Sequence, residues 1–213
     1  MNLLSGVAAI YFSLHLGDYY LGAKLIFLGA FFDFFDGFVA RALKAVSSIG
    51  KELDSLSDIV TFGVAPAAIL VSAYDFNWWQ LIMIASVPLL SALRLAKFNT
   101  DDDQKYEFKG LPTPALAITV ASFILSLYKS YAGISPVIVS VVAFALALLL
   151  VSPLRMFSLK FKNNFSLTDN KLIYLSLVVI FFLIVFLGMK GVFAGMVLYI
   201  LLSILRNLIG GKF

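Results

Sequence analysis

Four aspartates stand at spacings that could do chemistry. Asp33 and Asp36 are three residues apart, and Gly37, Ala40 and Arg41 continue the same three- and four-residue rhythm, so on a helix all five share one face. Gly50, Asp54 and Asp58 recur at four-residue intervals on the stretch that follows. The link between them is short, so two antiparallel neighbouring helices should bring the four acids together. Grouped aspartate oxygens match what hard divalent cations such as magnesium, manganese or calcium demand, and two such ions would balance four carboxylates. Gly37, Ala40 and Gly50 have little or no side chain and would let a backbone or a ligand come close.

The elements that must position these acids are strongly apolar. Of 213 residues, 62% are hydrophobic, and a mean hydropathy of +0.99 is far above what a soluble surface tolerates. A helix needs roughly 20 residues to cross the hydrocarbon core of a bilayer. Eight candidate spans follow: Leu3–Leu16, Tyr20–Leu43, Gly50–Tyr74, Trp78–Lys97, Leu111–Tyr131, Ile134–Ser152, Lys171–Gly188 and Gly191–Leu208. Six crossings are the alternative, with one pair not spanning. The spans follow one another with short polar breaks, which predicts a single integral membrane domain over residues 1–213. No basic segment precedes the first apolar stretch, so it reads as a retained helix rather than a cleaved signal. With no cysteine, disulfides and thiolate metal sites are excluded.

Charge placement predicts sidedness. With the N-terminus in the cytoplasm and sides alternating at each crossing, Lys24, Lys129 and Lys190 fall outside and the remaining 13 of 16 Lys and Arg residues fall inside. The net charge of +4 therefore reads as topology rather than as a nucleic-acid surface, and the acid cavity is expected to open to the cytoplasmic side. The stretch Pro153 to Asn170, with Arg155, Lys160 and Lys162 among aromatic and aliphatic residues, reads as a short interfacial helix or a basic loop. Asp101 to Asp103 read as a solvated acidic run.

The run Asp33-Phe34-Phe35-Asp36-Gly37-Phe38-Val39-Ala40-Arg41, followed after eight residues by Gly50 and then by Asp54 and Asp58, resembles the complete signature of the CDP-alcohol phosphotransferase family. Three further segments resemble the branch that uses serine as acceptor: Leu93-Arg94-Leu95-Ala96-Lys97-Phe98-Asn99, Lys109-Gly110-Leu111-Pro112-Thr113-Pro114-Ala115, and Val151-Ser152-Pro153-Leu154-Arg155 with Ser158 to Lys160. Lys97 stands where that branch has arginine. Asn2 and Ser5 echo an Asn-x-x-Thr near the start of family members, with serine for threonine.

The resemblance implies transfer of a phosphatidyl-type group from a CDP-lipid, either CDP-diacylglycerol or CDP-archaeol, to the hydroxyl of L-serine, with release of CMP. It further implies two divalent ions, magnesium or manganese, at Asp33, Asp36, Asp54 and Asp58, a site that calcium can also occupy. In it Asp33 and Asp54 bridge both ions, Asp36 completes the first, and Asp58 serves as general base while touching the second. Asn2, Ser5, Asp36, Gly37, Arg41 and Ser47 would hold the CDP-lipid, and a homodimer is expected. Arg94, Lys97 and Arg155 are cations able to bind the acceptor carboxylate or the donor phosphate. Glycerol phosphate or inositol phosphate as acceptor is the nearest alternative. A metal or proton transporter is the alternative from another class, though its acids would more typically spread through the bilayer.

Overall fold

The computed structural model describes residues 1–43, 47–100, 110–127, 134–154, 156 and 171–208, without the side chains of residues 41, 100 and 171–177. Among the described residues the secondary structure is helical throughout, so the all-α reading holds. The acidic run 101–103, residue 155 and most of the basic stretch 153–170 lie outside the described residues.

Helices α1 (Asn2–Leu16) and α2 (Tyr19–Ala42) form a tight antiparallel hairpin. Its turn is written in two residues. Gly17 takes the left-handed conformation with φ 69°, where an L side chain would be strained. Asp18 then accepts the Leu21 amide at 2.8 Å and caps the start of α2. Helix α3 (Ser48–Asp58) continues without a break through a π-helical segment, Ile59–Val64, into α4 (Ala65–Ala73). The Ala65 amide reaches back five residues to the Val60 carbonyl. Pro66 has no N–H, so the Phe62 carbonyl cannot receive its usual donor, and the wider turn forms just ahead of the proline.

Helix α5 (Trp78–Thr100) packs on the π segment and on α7 (Pro136–Leu150). Helix α6 (Thr113–Ser126) packs on α2 and on α9 (Met189–Leu208), which pairs with α8 (Lys171–Leu187). Entry into α6 is fixed by Gly110, with φ 77°, whose amide donates to the Leu154 carbonyl at 2.8 Å while the Leu111 amide donates to Leu149 at 2.9 Å. Each expected span thus has a helical counterpart, the third being α3, the π segment and α4 together; it begins two residues earlier than Gly50 because Ser47 caps it.

Among the described residues three helices are long and apolar enough to cross a membrane: Ser48–Ala73, Trp78–Asn99 and Met189–Leu208. Phe31, Phe34, Phe38, Trp78, Ile82 and Leu89 point outward, an arrangement suited to lipid rather than water. The interior is sealed by Ile26, Phe62, Ile69, Leu116 and Ile124.

Candidate active site

The aspartates converge because three elements lock around the π segment. Thr61, fully buried, donates from its hydroxyl to the backbone carbonyl of Asn2 at 3.0 Å. Gly6 on α1 and Gly29 on α2 both face Thr61; a Cβ on Gly6 would lie 2.8 Å from the Thr61 Cα, and one on Gly29 would lie 3.4 Å from the Asn2 side chain. Only glycine permits so close an approach. The start of α1 is thereby drawn against Asp58.

Oxygens of Asp33, Asp54 and Asp58 lie within 4.8 Å of one another. Asp58 is buried, Asp33 half-buried and Asp54 exposed. The Asn2 carboxamide spans two of them, donating from Nδ2 to Asp58 Oδ1 at 2.9 Å and to Asp33 Oδ1 at 3.4 Å. Three carboxylates so close repel one another unless a cation or a shared proton intervenes. The Asn2 Oδ1 is buried with no hydrogen-bond partner and lies toward Gly29 on α2. An all-oxygen set of carboxylate donors fits a hard divalent cation.

Asp36 stands apart from this trio. It is exposed, and its Oδ2 lies 3.9 Å from the Met1 ammonium. Gly37 is half-buried on the same helix, and Gly50 is exposed. Ser47 is exposed, and its hydroxyl accepts the Gly50 amide at 3.0 Å as the cap of α3. Ser5 is buried, donating to the Met1 carbonyl at 3.3 Å. Lys97 is exposed on α5. The side chain of Arg41 and all of Arg155 lie outside the described residues.

Besides the Asn2–Asp58 bond, two further contacts were not anticipated from the sequence. Asn99 donates to Ser55 Oγ at 2.9 Å, tying the end of α5 to α3. Arg94, 9% exposed, donates from Nη1 to Thr113 Oγ1 at 2.9 Å. The rings of His15 and Tyr11 stack with centroids 5.0 Å apart.

The model of the CDP-alcohol phosphatidyltransferase family matches residues 1–153. This chain belongs to that family. Members are transferases that use divalent metal ions, and the acid trio could hold such an ion. The chain is 34% identical over 158 residues to the CDP-diacylglycerol–serine O-phosphatidyltransferase of Bacillus subtilis, covering 72% of this chain and 84% of that one. It is 37% identical over 155 residues to the enzyme of the same name from Methanocaldococcus jannaschii, covering 73% and 69%. Similarity to the archaetidylserine synthase of Methanothermobacter thermautotrophicus is 37% over 133 residues, covering 61% and 57%. The family match ends before α8 and α9, which lie outside it.

Proposed function

We propose that this chain, acting as one domain, transfers a phosphatidyl-type group from CDP-diacylglycerol or CDP-archaeol to the hydroxyl of L-serine and releases CMP. The observation that carries this reading is the convergence of Asp33, Asp54, Asp58 and Asn2 in a chain of this family. The bacterial and archaeal relatives named for serine support the choice of acceptor.

Asp33, Asp36, Asp54 and Asp58 are the residues that would hold two divalent ions, magnesium or manganese. Such ions, when bound, neutralise pyrophosphate charge and make the nucleotide a better leaving group. Asp58 takes the proton from the serine hydroxyl as its oxygen bonds to the lipid phosphorus and the bond to CMP breaks. The Asn2 amide fixes the orientation of that carboxylate, and burial keeps water from competing as acceptor. Gly37, Arg41, Ser47 and Ser5 are assigned to the nucleotide end of the donor, with Asn2 and Asp36 bordering it. Arg94, Lys97 and Arg155 are the cations available to the anionic parts of the two substrates.

The bias of Lys and Arg supports a multi-pass protein with its active site toward the cytoplasm. A homodimer is part of the same reading. The test is CMP release by purified protein given a CDP-lipid and manganese or magnesium with serine, glycerol phosphate or inositol phosphate in turn. Serine is expected to drive release, and preference for a phosphorylated acceptor would replace that assignment.

A further inference from the structure

Helix α7 packs mainly on α5 and touches α6 only slightly, so a crevice opens between α6 and α7. Its volume is about 200 Å³. Leu70, Val120 and Ala143 are buried along its floor, while Ile138 and Val142 stand exposed at its rim, open to the surrounding bilayer. Thr119 alone among the lining residues has a polar side chain, and its hydroxyl is committed to the Ala115 carbonyl at 2.7 Å. Water would find no partner there.

The crevice lies at the end of the bundle away from the acids. Ser72 donates to the Ser13 carbonyl at 2.5 Å, so α4 ends beside the turn between α1 and α2, whereas Asn2 at the other end of α1 meets Asp58. Leu70 stands about 18 Å beyond Asp58 on the continuous helix, at about 1.5 Å per residue. A site for a charged nucleotide must stand near one membrane face, and each leaflet supplies only about 15 Å of the roughly 30 Å hydrocarbon core. The crevice therefore falls in the leaflet opposite the aspartates, out of line with the near-leaflet chains of a donor held there.

The rings of Phe123 and Phe193, with centroids 5.5 Å apart, place the start of α9 at the same end. Lys190 is exposed one turn earlier, on the same face of α9 as Phe193. An ammonium at headgroup level, its aliphatic stem laid along apolar surface, suits a lipid phosphate. An unfilled apolar crevice forfeits dispersion contacts around its lining, and at this depth the only solvent is hydrocarbon.

We propose that the crevice binds one hydrocarbon chain of an anionic phospholipid from the leaflet opposite the aspartates, with Lys190 pairing with its phosphate. This lipid is distinct from the CDP-lipid donor, and the inference holds whichever alcohol serves as acceptor.

The test follows the melting temperature of the purified full chain, stripped of lipid in detergent, as dioleoyl phosphatidylglycerol or dioleoyl phosphatidylcholine is added. A ligand of the folded state raises the midpoint. Both lipids should raise it, phosphatidylglycerol at several-fold lower concentration, and Lys190→Gln should remove that difference. Ala143→Leu, which fills the crevice from its floor, should match or exceed the wild-type midpoint without lipid and lose most of the rise. If Ala143→Leu fails to fold, Val142→Trp closes the crevice from its exposed rim and carries the same comparison. KM for CDP-diacylglycerol should stay within about twofold in every variant. Equal rises in wild type and the filled variants, or a phosphatidylglycerol preference that survives Lys190→Gln, overturn the proposal. A raised KM for the donor in the filled variants also overturns it, because the donor's own tail would then be the occupant.

Discussion

The carboxamide of Asn2, the first residue of α1, donates to the buried carboxylate of Asp58 at the end of α3 with an N–O distance of 2.9 Å. The same residue accepts at its backbone carbonyl from Thr61, one turn further on. The first turn of α1 is thus a structural wall of the acid cluster.

Asn2→Ala is expected to lower turnover by about 10- to 100-fold, the scale of a lost hydrogen bond to a charged group. Asp58 would lose its amide donor and its fixed orientation. CMP release under saturating donor and acceptor checks this, and wild-type turnover would remove Asn2 from the site.

Gly6→Ala should be destabilising, by about 1–3 kcal/mol, because its methyl would press on Thr61. The neighbouring atom includes backbone Cα, which cannot swing away. Thermal unfolding in detergent measures the loss; an unchanged midpoint would mean that α1 and the π segment are less tightly packed.

Much of this arrangement was legible in the sequence, and the illegible part has physical reasons. Apolar runs announce the helices, and helical spacing places Asp33, Asp54 and Asp58 on facing surfaces. Spacing could not say how far along α2 the third helix docks, which is why Asp36, although on the Asp33 face, stands apart beside Met1. The π turn depends on Pro66 and on tertiary packing at Thr61, and an apolar pattern reads the same with or without one extra residue per turn. The bonds Asn2–Asp58, Asn99–Ser55 and Arg94–Thr113 join positions far apart in the chain, where local pattern carries no signal.

Ser47 separates two roles in one substitution. Its hydroxyl caps α3, so Ser47→Ala should cost about 1 kcal/mol of stability. If it also holds the nucleotide, KM for the CDP-lipid rises beyond what that small loss explains. A drop in melting temperature with unchanged KM would assign Ser47 to capping alone.

Chelation should abolish turnover, and magnesium or manganese should restore it. Manganese should also raise the melting temperature of the wild-type protein, since a ligand that binds the folded state stabilises it. That stabilisation should be largely absent in the double variant Asp33→Asn, Asp54→Asn. An equal shift in both proteins would place the ion elsewhere.

The most direct measurement follows radiolabelled L-serine into the lipid fraction alongside CMP, using purified protein, CDP-diacylglycerol and manganese, with Asp58→Asn as the comparison. Serine transfer predicts label in lipid in one-to-one ratio with CMP, and a loss of several orders of magnitude in Asp58→Asn. CMP release with no label in lipid, or near-normal incorporation by Asp58→Asn, would contradict it.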